Sequence, residues 1–182
     1  MVPITHKITT FDKARVTIQK LGLVQSGLSH KSFTGMTKRR WNAMLKIAWK
    51  TVGWHWHKHM LPKHFTEAGA REYDYAKRTD GYMSDKMSKW GHQNPLSWSG
   101  DMEAEARSVS KTNVKSTFKG AGVVITAPRY LNQVYGNGPN KALELSRVTQ
   151  AETDELAKLL DKELTRMATT SSPLKLMRGH RK

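Results

Sequence analysis

Gly122–Ala127 reads GVVITA, an apolar, β-branched run set between Gly120 and Pro128. Val, Ile and Thr are restricted at χ1 and fit a pleated surface, and the glycine and proline punctuate the run at both ends, so it predicts a strand. Two weaker β runs precede it, Glu103–Val109 and Asn113–Phe118. Three short runs with short connections predict an antiparallel meander. RYLNQVYGNGPN (residues 129–140) follows as an irregular segment closed by a Gly/Pro/Asn cluster.

Helices flank these strands. In TQAETDELAKLLDKELTRM (149–167), Thr149 and Glu152 form an S/T-x-x-E capping box, and Leu156, Leu159, Leu160, Leu164 and Met167 fall on one stripe. A terminal helix over 149–168 is predicted. Upstream, Trp41, Met44, Leu45, Ala48, Val52 and Trp56 recur at helical spacing. This pattern predicts a helix over 38–61, with Thr37 as N-cap, Pro62 as stop and Gly53 as a weak point costing about 1 kcal/mol relative to alanine. Between helix and strands, residues 62–100 mix aromatics, charges, Gly and Pro. They read as a long loop with short helical pieces at Thr66–Arg71 and Ser84–Lys89.

The ends read as arms. Residues 1–37 form an N-terminal arm in which Phe11, Ala14, Ile18 and Leu21 predict one short helix over Phe11–Leu23, stopped by Gly22. Residues 169–182 form a basic, aperiodic C-terminal arm. The expected fold class is α+β: a small antiparallel β-meander packed against helices, with a single domain at 38–167 between extended arms.

Charge is the dominant compositional feature. The 182 residues carry 31 Lys/Arg against 15 Asp/Glu, a formal net charge of +16. Residues 1–63 hold twelve of the basic residues and one acid, Asp12, whereas residues 101–167 are close to balanced. Lys38, Arg39, Arg40, Lys46, Lys50, Lys58 and Lys63 surround the 38–61 helix, and Lys175, Arg178, Arg181 and Lys182 mark the tail. Such a distribution predicts a polyanionic partner, either nucleic acid or an acidic protein surface. Mean hydropathy is −0.65. No apolar run approaches the roughly 20 residues that span a bilayer, and MVPITHKITTF lacks an apolar signal core, so no membrane partner is expected. The absence of cysteine excludes disulfides and Cys-based zinc sites.

Four of the eight histidines fall within GWHWHKHMLPKH (53–64). His55 and His59 have the i, i+4 spacing of a zinc-protease helix, but no carboxylate lies between them to act as base, and a third ligand, His64, requires the chain to turn back after Pro62. A metal-dependent hydrolase is therefore the weakest reading. No phosphate-binding glycine loop and no nucleophile elbow occur. Neither enzyme activity nor a metal or cofactor is expected. A helix end bearing Trp54, His55, Trp56 and His59, with Tyr73, Tyr75, Tyr82 and Trp90 downstream, suits a macromolecular contact.

The stretch NPLSWSGDMEAEARS (94–108) resembles a turn motif of the neck and tail-completion proteins of tailed bacteriophages, the phage virion morphogenesis family. Pro95, Leu96, Trp98, Ser99 and Gly100, followed by Met102, resemble the proline–leucine–(aromatic or aliphatic)–Ser/Thr–Gly–x–(Leu/Met) signature that precedes the family's first strand. YMSDKMSKWGHQ resembles the lysine-rich segment before it, and GVVITAPRYLNQVYGNG and KALELSRVTQAETDELAKLLDKEL resemble the elements after it, so the likeness covers about residues 60–167. The resemblance implies a structural virion protein, made in the host cytoplasm. It would form a homo-oligomeric ring, a hexamer by expectation, at the head–tail junction, as a neck, tail-completion or tail-terminator protein. The implied partners are its own copies, the adjacent head–tail connector and tail-tube proteins, and DNA contacted without sequence readout. The alternative is a basic nucleic-acid-binding structural protein of a ribonucleoprotein or DNA-packaging assembly. It would need Tyr73, Tyr75, Tyr82 and Trp90 exposed as a base-stacking platform beside Lys/Arg.

Overall fold

The computed structural model describes residues 14–18, 25–127 and 140–170. The fold is α+β, as expected. Its order is β1 (Ala14–Ile18), α1 (Lys38–His55), α2 (Glu67–Glu72), α3 (Asp80–Trp90), α4 (Asp101–Arg107), β2 (Thr112–Thr117), β3 (Gly120–Ala127), α5 (Lys141–Leu145) and α6 (Gln150–Thr169).

The predicted strand GVVITA is the centre of the sheet. β3 pairs antiparallel with β2, Val114 opposite Val123, and on its other edge with β1, Val16 opposite Ile125. The strand order is β1-β3-β2. The sheet is thus not the sequential meander read from the sequence. Its third strand comes from the N-terminal segment, where a helix over Phe11–Leu23 was expected. Val16, Thr17 and Ile18 are β-branched, and the free edge of β3 supplies the backbone partners that decide between the two periods. The remainder of that predicted helix lies outside the described residues, as do 128–139 and the arm from residue 171 onward.

The run Glu103–Val109, expected as a strand, falls largely in helix α4 instead. Met102 and Ala106, four residues apart, are both buried, and Asp101 and Glu103 occupy the first turn, where the helix dipole favours carboxylates. The run Asn113–Phe118 forms β2 within one residue of expectation, with inward and outward positions alternating. Val114, Ala121, Val123 and Ile125 are buried on one face, whereas Asn113, Lys115 and Thr117 are exposed on the other.

Helix α1 lies across the buried face of the hairpin and beside α6. Thr37 caps it as expected, accepting a hydrogen bond from the Arg40 N–H. Gly53 does not break the helix. A Cβ built there would stand 2.6 Å from Val114 Cγ1, so glycine allows α1 and β2 to touch. Nor does Pro62 stop the helical path. After His55 the backbone widens into a π turn over Trp56–Met60, with the Leu61 N–H donating to the Trp56 carbonyl, then tightens into a 3₁₀ turn over Leu61–Phe65. Pro62 enters at the first turn of that segment, where its missing N–H leaves no bond unmade. The π turn inserts one residue into the helical repeat and places Trp56, His57 and Met60 in the interior.

The stretch 62–100 is more regular than a long loop. Helix α2 matches the expected piece at 66–71, and α3 extends the piece at 84–89 in both directions. α3 ends at Gly91, whose φ of +70° is the left-handed conformation that glycine adopts without penalty. Helix α6 carries the predicted capping box: Thr149 Oγ1 accepts the Glu152 N–H and Glu152 Oε2 accepts the Thr149 N–H, both at 3.2 Å. Leu156, Leu160, Leu164 and Met167 bury its stripe, whereas Leu159 is half-buried at the margin.

Candidate functional site

The histidine cluster is dispersed by the change from α to π to 3₁₀ geometry. His55 Nε2 lies 2.9 Å from Glu155 Oε1 of α6, with the His59 ring 4.6 Å away. His57 turns inward, its Nε2 2.9 Å from the Ala106 carbonyl oxygen and 2.8 Å from Thr112 Oγ1. Burial lowers its pKa. His64 is fully buried and stacked on Tyr73, the rings 3.8 Å apart and 10° from parallel. Its Nδ1 is hydrogen-bonded to the Tyr75 hydroxyl, and burial, assisted by the Lys63 charge, pushes its pKa down to about 3. It therefore rests neutral in the interior. Among the described residues no three His, Asp or Glu side chains come together as a metal site.

Sequence reasoning offered the aromatic residues as a contact surface, and several are core instead. Trp56 is fully buried. Tyr73 is 3% exposed, and its hydroxyl donates to Glu152 Oε1 at 2.5 Å. Burial and the Glu152 carboxylate both raise the Tyr73 pKa, so it remains a donor. Tyr73 thus cannot belong to an exposed stacking platform. Trp54 is half-buried, edge-on to His57 at 5.5 Å; Tyr75 is half-buried against His64. Tyr82 is half-buried against Trp98, ring centres 5.1 Å apart, and Trp90 stays 46% exposed. With Met83 and Met87, Trp90 forms an i, i+4, i+7 apolar line on α3.

The turn quoted for the family resemblance is a compact structural unit. Pro95, Leu96 and Ser97 are buried, with Leu96 at a φ of +59° and Gly100 at +93°. Ser97 Oγ accepts the Gly100 N–H at 3.0 Å, and Ser99 Oγ donates to Asp101 Oδ2 at 2.5 Å. Ser99 and Gly100 lead into a helix, not into the strand expected after them. Gly100 is the N-cap of α4. Trp98 is met by the Tyr82 ring, 5.1 Å away, and by the Lys89 ammonium, 5.8 Å from its ring centre, which ties α3 to this turn.

The cations of α1 and of the π and 3₁₀ turns that follow it divide by position. Lys38, Arg39, Lys46, Lys50 and Lys58 are exposed and Arg40 is half-buried. None of the six has an ion pair among the described residues. Arg39, Lys46 and Lys50 follow one outward line along the helix, 39-46-50, with the exposed Ala43 between the first two. Lys63 differs, lying 3.8 Å from the buried Glu152 carboxylate. Lys175, Arg178, Arg181 and Lys182 fall outside the described residues.

The acids of α6, one candidate for an acidic surface facing the α1 cations, are partly engaged within the chain. Glu152 is buried, Glu155 meets His55, and Asp161 accepts from Ser26 Oγ at 2.5 Å and the Gly27 N–H at 3.3 Å. The sequence carried no signal for a further polar centre: Glu144, 3% exposed, accepts from Arg78 Nη1 at 3.0 Å, Arg78 Nη2 at 2.5 Å and the Ala76 N–H at 3.0 Å. No helix among the described residues is long and apolar enough to cross a membrane. Comparison of the chain with models of protein families, with characterised proteins and with solved structures returns no match.

Proposed function

We propose that this chain is a structural component of a tailed-phage virion, a neck or tail-completion protein that assembles into a ring at the head–tail junction. The observation that carries this reading is the outward face of α1, where Arg39, Lys46 and Lys50 have no ion pair among the described residues. Identical copies in a ring would repel one another through such a face unless an external polyanion neutralised it. Glu152 is sealed inside the fold, and Glu155 and Asp161 hold partners in their own chain, which favours DNA in the ring lumen over a neighbour's α6 as that polyanion. The apolar line Met83–Met87–Trp90 suits a subunit contact, and the resemblance of the 94–108 turn to the neck and tail-completion family supports the same assembly. The alternative of a base-stacking nucleic-acid binder is weakened by the burial of Tyr73.

Mass spectrometry of purified virions is expected to find the chain in several copies per particle, and its absence from virions overturns the proposal. The double variant Lys46→Glu/Lys50→Glu is expected to leave assembly intact. It should weaken association with double-stranded DNA by about tenfold or more at low salt and flatten the salt dependence, because each neutralised phosphate contributes to counterion release. A variant that fails to assemble would instead assign these lysines to the neighbour's acidic surface. Its rescue by Glu155→Lys/Asp161→Lys would identify that surface as α6.

A further inference from the structure

A cavity of about 450 Å³ opens between the end of α2, the following turn, α3 and the 93–96 segment, within the size range of small-ligand sites. Its wall includes Arg71, Lys77, Arg78, Lys86 and Lys141, against a single carboxylate, Asp74. Asp74 is fully exposed and faces Arg147 at 3.9 Å, while Glu144 is bonded to Arg78 and its charge also acts on Lys141. Lys86 is the unusual member. It is 1% exposed, its ammonium donates to the Asn94 carbonyl oxygen, and the Tyr82 ring centre lies 5.7 Å away. It has no ion pair among the described residues. Burial first, then the like charges of Arg78 and Lys141, push its pKa down to about 8. A buried ammonium among other cations is costly unless an anion completes the site. The rest of the wall supplies a second kind of surface: Tyr75, Tyr82, Met83, Pro95 and Leu96 are aromatic or apolar.

We propose that this cavity binds a phosphate monoester carrying an aromatic or apolar remainder, up to the size of a nucleoside monophosphate. The phosphate would sit among Lys86, Lys77 and Arg71, and the remainder would lie against Tyr75 and Tyr82. Arg78 is held by Glu144 at 2.5 Å and serves as fixed positive charge on the wall. A phosphate dianion matches this surplus of cations better than a single carboxylate does. The same chemistry is offered by a free mononucleotide and by the phosphorylated 5′ end of a nucleic acid strand. This site is separate from the α1 face and does not depend on the ring assignment.

Isothermal titration of the full chain at low salt and pH 7, with adenosine monophosphate and with short oligonucleotides bearing or lacking a 5′ phosphate, tests the proposal. Saturable binding of the mononucleotide, weakened about tenfold or more by Lys86→Met, is expected, the scale of one charge-assisted hydrogen bond lost. Binding confined to the 5′-phosphorylated oligonucleotide, and dependent on Lys86, would support the site with a strand end as the source. Arg71→Ala/Lys77→Ala, at exposed positions, gives the same reading should Lys86→Met not fold. The α1 variant Lys46→Glu/Lys50→Glu should bind the mononucleotide as the parent does. Absence of saturable binding by either probe, or unchanged binding in both cavity variants, overturns the proposal.

Discussion

Gly69→Ala is expected to destabilise the protein by about 3 kcal/mol, the upper end of what overpacking a fixed interior usually costs. A Cβ at Gly69 would stand 1.9 Å from the Lys63 carbonyl oxygen and 2.8 Å from its carbon, and 3.1 Å from Thr66 Oγ1. The obstacle is backbone and cannot rotate away. That carbonyl also accepts the Thr66 N–H at 3.1 Å and the Thr66 hydroxyl at 2.8 Å, while Thr66 Oγ1 accepts the Gly69 N–H at 3.0 Å. Moving α2 outward to admit the methyl would therefore open its own N-cap. It would also pull on the stack of Tyr73 upon His64 and on the bond from Tyr73 to Glu152. Gly81→Ala supplies the control, since nothing lies within 4 Å of a Cβ there and alanine is the better helix former by up to about 1 kcal/mol. Urea denaturation of the two variants should move in opposite directions, and equal stability of Gly69→Ala and the parent would refute the packing at α2.

Acid is expected to unfold this protein through His64. The side chain is fully buried and its pKa in the fold is about 3, against 6.5 in an unfolded chain. Between those values the unfolded state binds a proton that the folded state refuses, so stability falls as pH drops below about 6.5 and continues to fall to about 3. The loss from this group reaches about 2–3 kcal/mol by pH 4.5, at about 1.4 kcal/mol per pH unit. His57, also lowered by burial, adds in the same direction. Glu152 works the other way: burial raises its pKa, so the folded state takes up its proton more readily than the unfolded one. His64→Phe keeps a ring against Tyr73 and cannot titrate. Unfolding free energies measured at pH 7, 5.5 and 4.5 should slope less in that variant than in the parent. Identical slopes would show that His64 is not the acid-sensitive group.

The elements that sequence alone determined are those whose signal is local. Helix α6 announces itself through Thr149, Glu152 and a leucine stripe, and the N-cap at Thr37 lies where the apolar period begins. GVVITA is a strand because its residues are β-branched and its ends are punctuated. The cationic line on α1 is legible because charge and a 3.6-residue period are both written in the chain.

Tertiary structure decided the rest, where two local readings were close and a distant partner chose between them. Ala14–Ile18 has helical spacing and strand composition, and pairing with β3 made it a strand. Glu103–Val109 has a weak strand pattern, and burial of Met102 and Ala106 drew most of it into a helix. Trp56 and Tyr73 resemble contact residues by type alone. A π turn, and a carboxylate 79 residues away, drew them inside. The cavity around Lys86 had no signature in sequence at all, because its cations come from α2, α3, the turn between them and the start of α5, each ordinary alone. Periodicity and caps act within a few residues and survive in the primary sequence. Burial, edge pairing and the gathering of like charges around one space depend on chain segments that meet only in the folded state.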